Sequence, residues 1–241
     1  ETLRSDDPEI ANQAALGLRD GGSQAEAALL KALADSKPET RALAAEALGE
    51  IASERGAREL TELLRDPDPT VRSAAIESIA KRSSHNAETI DRLMLALPQD
   101  PESGVRQRAA FALASVAADQ PRIVEQLVPV MQSDDHHVAI AAVRGLGVSP
   151  AEATTRASVL AAALTTAQPG VAIEIVDQLV EMGETGMTAL VQSRNNQNSR
   201  DWAVVGLAEF GPRADDAAED LASLIDVSTP DVQAEILMTL A

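Results

Sequence analysis

The chain has 241 residues, 45% of them hydrophobic but only 1% aromatic, and a net charge of −18 from 38 acidic and 20 basic residues. The apolar fraction is sufficient for a core, whereas the charge disfavours a general binder of the nucleic-acid backbone, which needs clustered Lys and Arg. Because Cys is absent, disulfide bonds and thiolate metal sites are excluded.

The basic residues are biased toward Arg, since Lys occurs only at Lys31, Lys37 and Lys81. Abundant Asp and Glu with little Lys resembles the surfaces of proteins from salt-loving organisms such as halophilic archaea. Molar salt screens self-repulsion, because the Debye length falls to about 3 Å. We therefore favour a halophilic origin over an ordinary acidic mesophilic protein. Without a long apolar run or a signal-peptide pattern, we expect a cytoplasmic protein with no membrane insertion.

A motif recurs along the chain about every 30 residues, which indicates a repeat array. The clearest copies begin at Asp35, Asp66 and Asp100, and in each an Arg follows the Asp after six residues. The residue five positions after the Asp serves as the repeat anchor. The eight anchors are Ile10, Thr40, Val71, Val105, Val138, Val171, Ser199 and Val232.

An apolar residue follows the anchors after four and after eight residues, which places three side chains on one helical stripe. The pattern predicts eight "second helices" that start near residues 8, 38, 69, 103, 136, 169, 197 and 230. Shorter apolar segments between them predict "first helices" at residues 24–34, 57–65, 87–97, 122–132, 153–166, 184–192 and 215–225.

The turns and helix ends carry their own signals. Asp, Ser and Pro precede the second helices, and we predict that Asp66 caps the helix after it. Glycines lie near the ends of the second helices, where we predict left-handed stops. These glycines are Gly17, Gly49, Gly147, Gly183 and Gly211.

The pattern Asp-x4-Val/Thr-Arg-x2-Ala-Ala resembles the short HEAT-like repeat, the type also known from phycobilisome lyases. The resemblance implies an all-α fold, a right-handed α-α superhelix (solenoid) of about seven helix pairs, formed as a single array over residues 1–241. By analogy with known solenoids, the second helices are expected on the concave side. Because the first helix of the array is missing and the end carries no polar cap, either the chain is part of a longer protein or its ends meet a partner, and we favour the first.

In HEAT-like families an Asp–Arg ladder joins one repeat to the next. The resemblance implies a structural ladder here, expected to lapse at the start of the chain and from Ser133 onward. Its residues are Asp35, Arg41, Asp66, Arg72, Asp100 and Arg106.

Catalytic and metal-binding patterns were sought in the same sequence. His136 and His137 are adjacent, so their side chains diverge by about 100° on a helix and seldom reach one ion. His85 has no acidic partner on a shared face, and no phosphate-binding loop or nucleophile elbow is present. We therefore predict no catalytic residue, no metal and no cofactor.

The better functional candidates are departures from the repeat on the face that points away from the packing stripe. From Phe111 onward this face becomes apolar with charges between, as in a groove for a partner helix or peptide. The alternative is that these residues are core, and Trp202 is either a binding anchor or a plug between repeats. The candidates are Phe111, Ile140, Arg144, Ile173, Asp177, Trp202 and Val205.

The sequence therefore predicts a non-enzymatic scaffold that binds a helix or peptide of another protein, and no nucleic acid. The alternative is an enzyme or enzyme subunit related to the bilin lyases, by resemblance to their repeat. The partner, the pathway and the oligomeric state stay open.

Overall fold

The structure of the protein is a computed structural model. It describes residues 2–5, 8–19, 22–51, 53–81, 90–94, 100–116, 127–149 and 151–210, with the single positions 222, 230 and 233. Every regular element in these ranges is a helix, so the predicted all-α fold class is confirmed. The chain divides into two compact units, Glu1–Val116 and Ala117–Ala241, and each is described by itself. The single array over residues 1–241 stays a prediction.

The first unit alternates second and first helices. A short 3-10 helix, Thr2–Arg4, precedes α1 (Pro8–Arg19), α2 (Gly22–Ala32), α3 (Pro38–Ile51) and α4 (Glu54–Glu62). After a 3-10 turn at Leu63–Arg65 come α5 (Pro69–Ala80), helical residues 90–94 and α6 (Ser103–Val116). Helices α1, α3, α5 and α6 pack side by side in sequence order, while α2 and α4 pack against that layer.

The second unit has the same two-layer arrangement. Helical residues 127–131 precede α7 (His136–Gly147), α8 (Ala153–Ala163), α9 (Pro169–Glu181), α10 (Glu184–Ser193) and α11 (Arg200–Glu209). Second helices α7, α9 and α11 form one layer, and first helices α8 and α10 contact each other in the other layer.

The second helices begin close to the positions that the repeat assigns. Their observed starts agree with the predicted residues in six cases, and α11 begins three residues after the predicted residue 197. Helix α4 begins three residues before the predicted start and is followed directly by the 3-10 turn that precedes Asp66. The predicted helices near 215–225 and 230 lie outside the described ranges.

The packing stripe of the second helices forms the core. In α5, Val71, Ala75 and Ile79 are completely buried. The middle position of the stripe is a fully buried alanine in five second helices, which allows neighbouring helices to approach closely. These alanines are Ala44, Ala75, Ala109, Ala142 and Ala203.

The cap of α5 differs from the prediction. The N-cap residue is Asp68, whose side chain accepts a hydrogen bond from the Thr70 amide at 2.8 Å. Asp66 instead accepts a hydrogen bond from the Asp68 amide at 2.9 Å and so shapes the turn. The prediction that Asp66 caps the helix was wrong because Pro69 occupies the first helical turn, which puts the cap directly before it.

The glycines also differ from the prediction. Among the described glycines, Gly183 has a positive φ, 62°, but its ψ of −132° lies outside the left-handed helical region. Gly17, Gly49 and Gly147 lie within helices, so the prediction of left-handed stops was wrong for them. Gly49 is buried where α3 meets α5, and a Cβ there would lie 2.7 Å from the Ser78 Cβ. Gly211 lies outside the described residues.

Within the described ranges, no helix combines the length and the apolar character that crossing a bilayer requires.

Candidate protein-binding surface

Two guanidinium groups connect successive repeats in the first unit. Arg41 donates from Nε and Nη2 to the two carboxylate oxygens of Asp66, at 2.8 and 2.7 Å, and from Nη1 to the Asp35 carbonyl at 2.9 Å. Arg72 makes the same set, with the Asp100 carboxylate at 2.6 and 2.9 Å and the Asp66 carbonyl at 2.9 Å. Each Arg therefore holds its own turn and the turn of the next repeat.

The ladder extends further toward the start of the chain than expected. Arg4, in the first 3-10 helix, places its Nε 2.8 Å from the Asp35 carboxylate. The expected lapse at the start was therefore wrong, because an Arg outside the repeat register supplies the cation. At the other end of this unit, Arg106 Nη1 donates to the Asp100 carbonyl at 2.8 Å.

The ladder carboxylates are almost completely shielded from solvent. The Asp66 and Asp100 side chains are each 6% exposed. Burial by itself raises the pKa of both carboxyl groups. Hydrogen bonds from Arg41 and Arg72 together with the nearby charges lower it by a larger amount, so the pKa of each lies below its ordinary value. The same hydrogen bonds raise the pKa of Arg41 and Arg72. The charged groups of the ladder thus bond each other inside the fold, as expected of a structural contact between repeats.

The adjacent histidines occupy the start of α7. Their ring centroids are 6.3 Å apart with the planes at 73°, and a Cβ on Gly170 would lie 2.5 Å from His136 Cε1. His136 thus packs against the start of α9. In the part of the chain that the structure describes, no group of three His, Asp or Glu side chains is placed to hold a metal ion. His85 lies outside that part.

A second set of ion pairs joins neighbouring second helices on their exposed face. Glu77 of α5 accepts from Arg108 Nε of α6 at 2.7 Å. Arg144 of α7 donates from Nε and Nη2 to the two oxygens of Glu174 on α9, both at 2.9 Å. In both pairs the earlier helix uses the residue six after its anchor, and the later helix uses the residue three after its anchor. The pairs thus define the register between neighbouring second helices.

The predicted binding residues lie on this exposed face. Phe111 is 40% exposed and Ile173 is 53% exposed. Arg144 and Asp177 are exposed, whereas Ile140, Trp202 and Val205 are half-buried. The alternative that these residues form the core is wrong for the exposed Phe111 and Ile173. For the half-buried Ile140, Trp202 and Val205 it stays an alternative. Their role in binding stays a prediction.

The candidates divide between the two units. Phe111 is on α6 of the first unit. The other six lie in pairs on three successive second helices of the second unit, α7, α9 and α11, which pack side by side. These pairs are Ile140 and Arg144, Ile173 and Asp177, and Trp202 and Val205.

Two residues on the same face were missed. Val148, directly after α7, is 66% exposed, and Glu174 forms the ion pair with Arg144. Val148 lies ten residues after its anchor, so one further turn of the helical wheel would have found it. Glu174 lies three residues after its anchor, where Trp202 is the only one of the seven predicted residues.

The first-helix layer of the second unit holds an open cavity of about 290 Å³ between α8 and α10. Its lining is rich in hydroxyl groups. The lining residues include Thr154, Ser158, Glu184, Thr185, Thr188 and Gln192.

Comparisons with known proteins give the fold. A family model described as HEAT repeats matches residues 1–80 and 90–179, more than half of the chain. The comparison with curated proteins gave no match.

Several solved structures resemble the chain. The YibA protein of Escherichia coli is 17% identical with a TM-score of 0.56, over 99% of this chain and 89% of that one. A homology model of the full-length AP-3 complex contains a chain that is 18% identical with a TM-score of 0.57, over 100% of this chain and 50% of that one. The CpcE–CpcF complex of phycocyanin lyase from Nostoc is 20% identical with a TM-score of 0.46, over 99% of this chain and 91% of that one.

Proposed function

Because the chain belongs to the HEAT-repeat family, we propose that it is a non-enzymatic scaffold that binds a helix or peptide of another protein. The binding surface is the exposed face of the second helices. Helical repeats stack into an extended surface with few loops, and such surfaces bind partners through several repeats at once. The family membership supports this class of function, and the choice of surface depends on the side chains described next.

The observation that carries the proposal is the exposure of Ile173. This side chain lies in the second turn of α9 and is 53% exposed, although α9 packs against second helices on both sides. Ile140 of α7 occupies the same repeat position and Val205 of α11 lies on the same face, both half-buried. Neighbouring helices pack about 8–10 Å apart, so the three aliphatic side chains form an oblique row across the layer, in which Val205 lies one turn further along its helix than Ile140 and Ile173 lie along theirs.

Charges flank this row. The Arg144–Glu174 ion pair connects α7 and α9, and Asp177 lies one turn after Ile173. An apolar row with charged neighbours fits an amphipathic helix, whose apolar side chains repeat every three or four residues. A partner helix lying across α7, α9 and α11 would contact Ile140, Ile173 and Val205 in turn.

The experiment uses a displayed library of random peptides, selected against the whole wild-type chain. Peptides that bind are expected to lose most of their affinity for Ile173→Glu, because the new carboxylate must be desolvated under the peptide. The matched control is Ala162→Glu, which adds the same charge at an exposed position of the first-helix layer. Affinity for the control is expected to change less than about twofold, with both variants folded by circular dichroism.

Two results would contradict the proposal or its choice of surface. Selection that yields no binding peptide contradicts the proposed scaffold. Peptides that bind wild-type protein and Ile173→Glu with equal affinity show that the surface lies elsewhere.

The alternative predicted from the sequence, an enzyme or enzyme subunit related to the bilin lyases, stays a prediction, and the proposal above does not depend on it.

A further inference from the structure

The register between neighbouring second helices shows which side chains face each other on this surface, and these side chains indicate what kind of partner group it can bind. We call the line of contact between two neighbouring second helices a seam. Ion pairs bridge two of these seams, and the two pairs have opposite polarity. In the α5–α6 seam the acid, Glu77, comes from the earlier helix and the base, Arg108, from the later one. In the α7–α9 seam the base, Arg144, comes first and the acid, Glu174, second. In these two seams the paired positions are complementary in charge, whichever helix carries the cation. The two earlier seams of the first unit have no such pair; the α3–α5 seam, for example, has Glu46 and Ala74 there.

The seam between α9 and α11 also lacks an acid–base pair, but it has a different combination of side chains. The residue six after the anchor Val171 is Asp177, and the residue three after the anchor Ser199 is Trp202. The register holds here, because Ser199 is 1% exposed and Ala203 and Leu207 are completely buried, as the anchor stripe requires. Helices α9 and α11 pack against each other. The same register places Asp177 of α9 opposite Trp202 of α11, at the two positions where the α5–α6 and α7–α9 seams have an acid and a base.

Asp177 is available to a cation from outside the chain. Its side chain is exposed, and no Lys or Arg in the described ranges forms an ion pair with it. Trp202 is half-buried, so part of the indole remains open to a ligand. A carboxylate beside an indole suits a guanidinium group, which bonds the carboxylate with two N–H groups and stacks its plane on the ring. An ammonium group has no plane to stack and makes the weaker match.

We propose that Asp177 and Trp202 form a site for an Arg side chain of the partner, a basic amphipathic helix or peptide. This inference rests on the proposed function and names the chemistry of its partner. Ile173 lies one turn before Asp177 on α9, and Val205 lies one turn after Trp202 on α11. An Arg of the partner therefore has aliphatic residues three or four positions away, which fill the apolar row. The net charge of −18 favours a basic partner as well.

Trp202 provides its own reporter, because it is the only Trp of the chain. Titration with a bound peptide is expected to change the intensity or wavelength of its fluorescence. The peptides come from the selection described above, so no partner has to be identified first. Selected sequences are expected to be enriched in Arg next to aliphatic residues.

The decisive measurement is a double-mutant cycle. One arm compares a selected peptide with the same peptide in which citrulline, uncharged but similar in shape, replaces Arg. The other arm compares the wild-type chain with Asp177→Asn and Trp202→Leu. For the Arg peptide, each variant is expected to weaken binding about 5- to 20-fold, the range for a charge-assisted hydrogen bond or a cation–π contact. For the citrulline peptide, the change at Asp177→Asn is expected to be less than about twofold.

Glu181→Gln is the matched control, since it removes one exposed carboxylate from the end of the same helix. It is expected to weaken the Arg peptide less than twofold, which separates a local site from general charge attraction. Trp202→Phe keeps an aromatic ring and is expected to retain more affinity than Trp202→Leu. This comparison keeps the test valid if Leu disturbs the fold, which circular dichroism of each variant reports.

The outcomes separate this inference from the proposed function. Peptides that bind through Ile173 but show no Arg preference and no response to Asp177→Asn overturn the Arg site and leave the scaffold intact. An equal loss for Asp177→Asn and Glu181→Gln also overturns it. Failure to select any peptide overturns both.

Discussion

Arg72 shows how one side chain holds two repeats together. Its guanidinium is planar and has donors on three nitrogens, so it can bond the Asp100 carboxylate with one edge and the Asp66 carbonyl with the remaining nitrogen. A Lys ammonium could not match the carboxylate with two parallel bonds. The geometry explains why a chain with little Lys has Arg at these positions.

Loss of the Arg72 guanidinium is expected to destabilise the first unit strongly. Arg72 is 8% exposed and the Asp100 side chain 6% exposed, so Arg72→Leu leaves a shielded carboxylate without its cation. Breaking a buried ion pair in this way costs about 3–5 kcal/mol. Urea unfolding followed by circular dichroism measures the change. Adding Asp100→Asn is expected to restore part of the loss, because the uncharged amide tolerates the missing cation.

The control for Arg72 is the exposed Arg144. Its side chain is 61% exposed and pairs with Glu174, so Arg144→Leu is expected to cost less than about 1 kcal/mol. Equal losses for the two substitutions would contradict the ladder as the main link between repeats.

The packing of neighbouring second helices depends on how closely their backbones can approach. Gly49 of α3 faces Ser78 of α5 with no room for a Cβ, since the Cβ would lie 2.7 Å from the Ser78 Cβ and 3.0 Å from its Cα. Gly17 of α1 has no atom within 4 Å of its Cβ position. Two glycines near the ends of second helices therefore have different roles.

Opposite effects are expected from the same substitution at these two positions. Gly49→Ala must push α3 and α5 apart and is expected to destabilise by about 1–3 kcal/mol, as overpacking does. Gly17→Ala relieves the helix cost of glycine and is expected to stabilise by up to about 1 kcal/mol. Urea midpoints of both variants at unchanged slope provide the measurement. Stability changes of the same sign at both positions would contradict the assigned roles.

Features encoded locally could be predicted from the sequence, whereas features that arise from packing could not. Pro38, Pro69 and Pro169 mark helix starts through their fixed φ and missing amide, so these starts agree with the prediction. The role of Gly49 depends on its distance from Ser78, and that of Arg4 on a turn that brings it to Asp35. Neither distance is contained in a repeat pattern.

The candidate surface divides in the same way. The helical wheel was sufficient to place Phe111 and Ile173 on the surface. The seam between Asp177 and Trp202 required the register, which became visible only from the Glu77–Arg108 and Arg144–Glu174 pairs. Relations within one helix follow from its period, and relations between helices need the packed structure.

At the scale of the whole molecule, charge is the dominant feature. The net charge of −18 on a chain of 241 residues makes self-repulsion a significant term in the stability of the folded state. Added salt weakens repulsion between exposed charges but has little effect on shielded pairs such as Arg72 with Asp100. Salt is therefore expected to stabilise the fold without breaking the ladder.

The halophilic origin stays a prediction, and thermal unfolding tests it. In 2 M KCl the melting temperature is expected to exceed that in dilute buffer by about 4 °C or more, which corresponds to about 1–2 kcal/mol for a chain of this size. A general effect of salt on apolar burial would also raise the melting temperature, so a less acidic variant is needed. This variant replaces five exposed glutamates by Gln, namely Glu39, Glu54, Glu59, Glu152 and Glu181.

The two causes give opposite results in that variant. If screening of acidic repulsion produces the stabilisation, the variant has fewer charges to screen, so it is more stable in dilute buffer and gains less from KCl than the wild-type chain. If salt acts through apolar burial, both proteins gain equally, because the five substitutions leave the core unchanged. Equal gains, or no gain in the wild-type chain, contradict an adaptation to high salt.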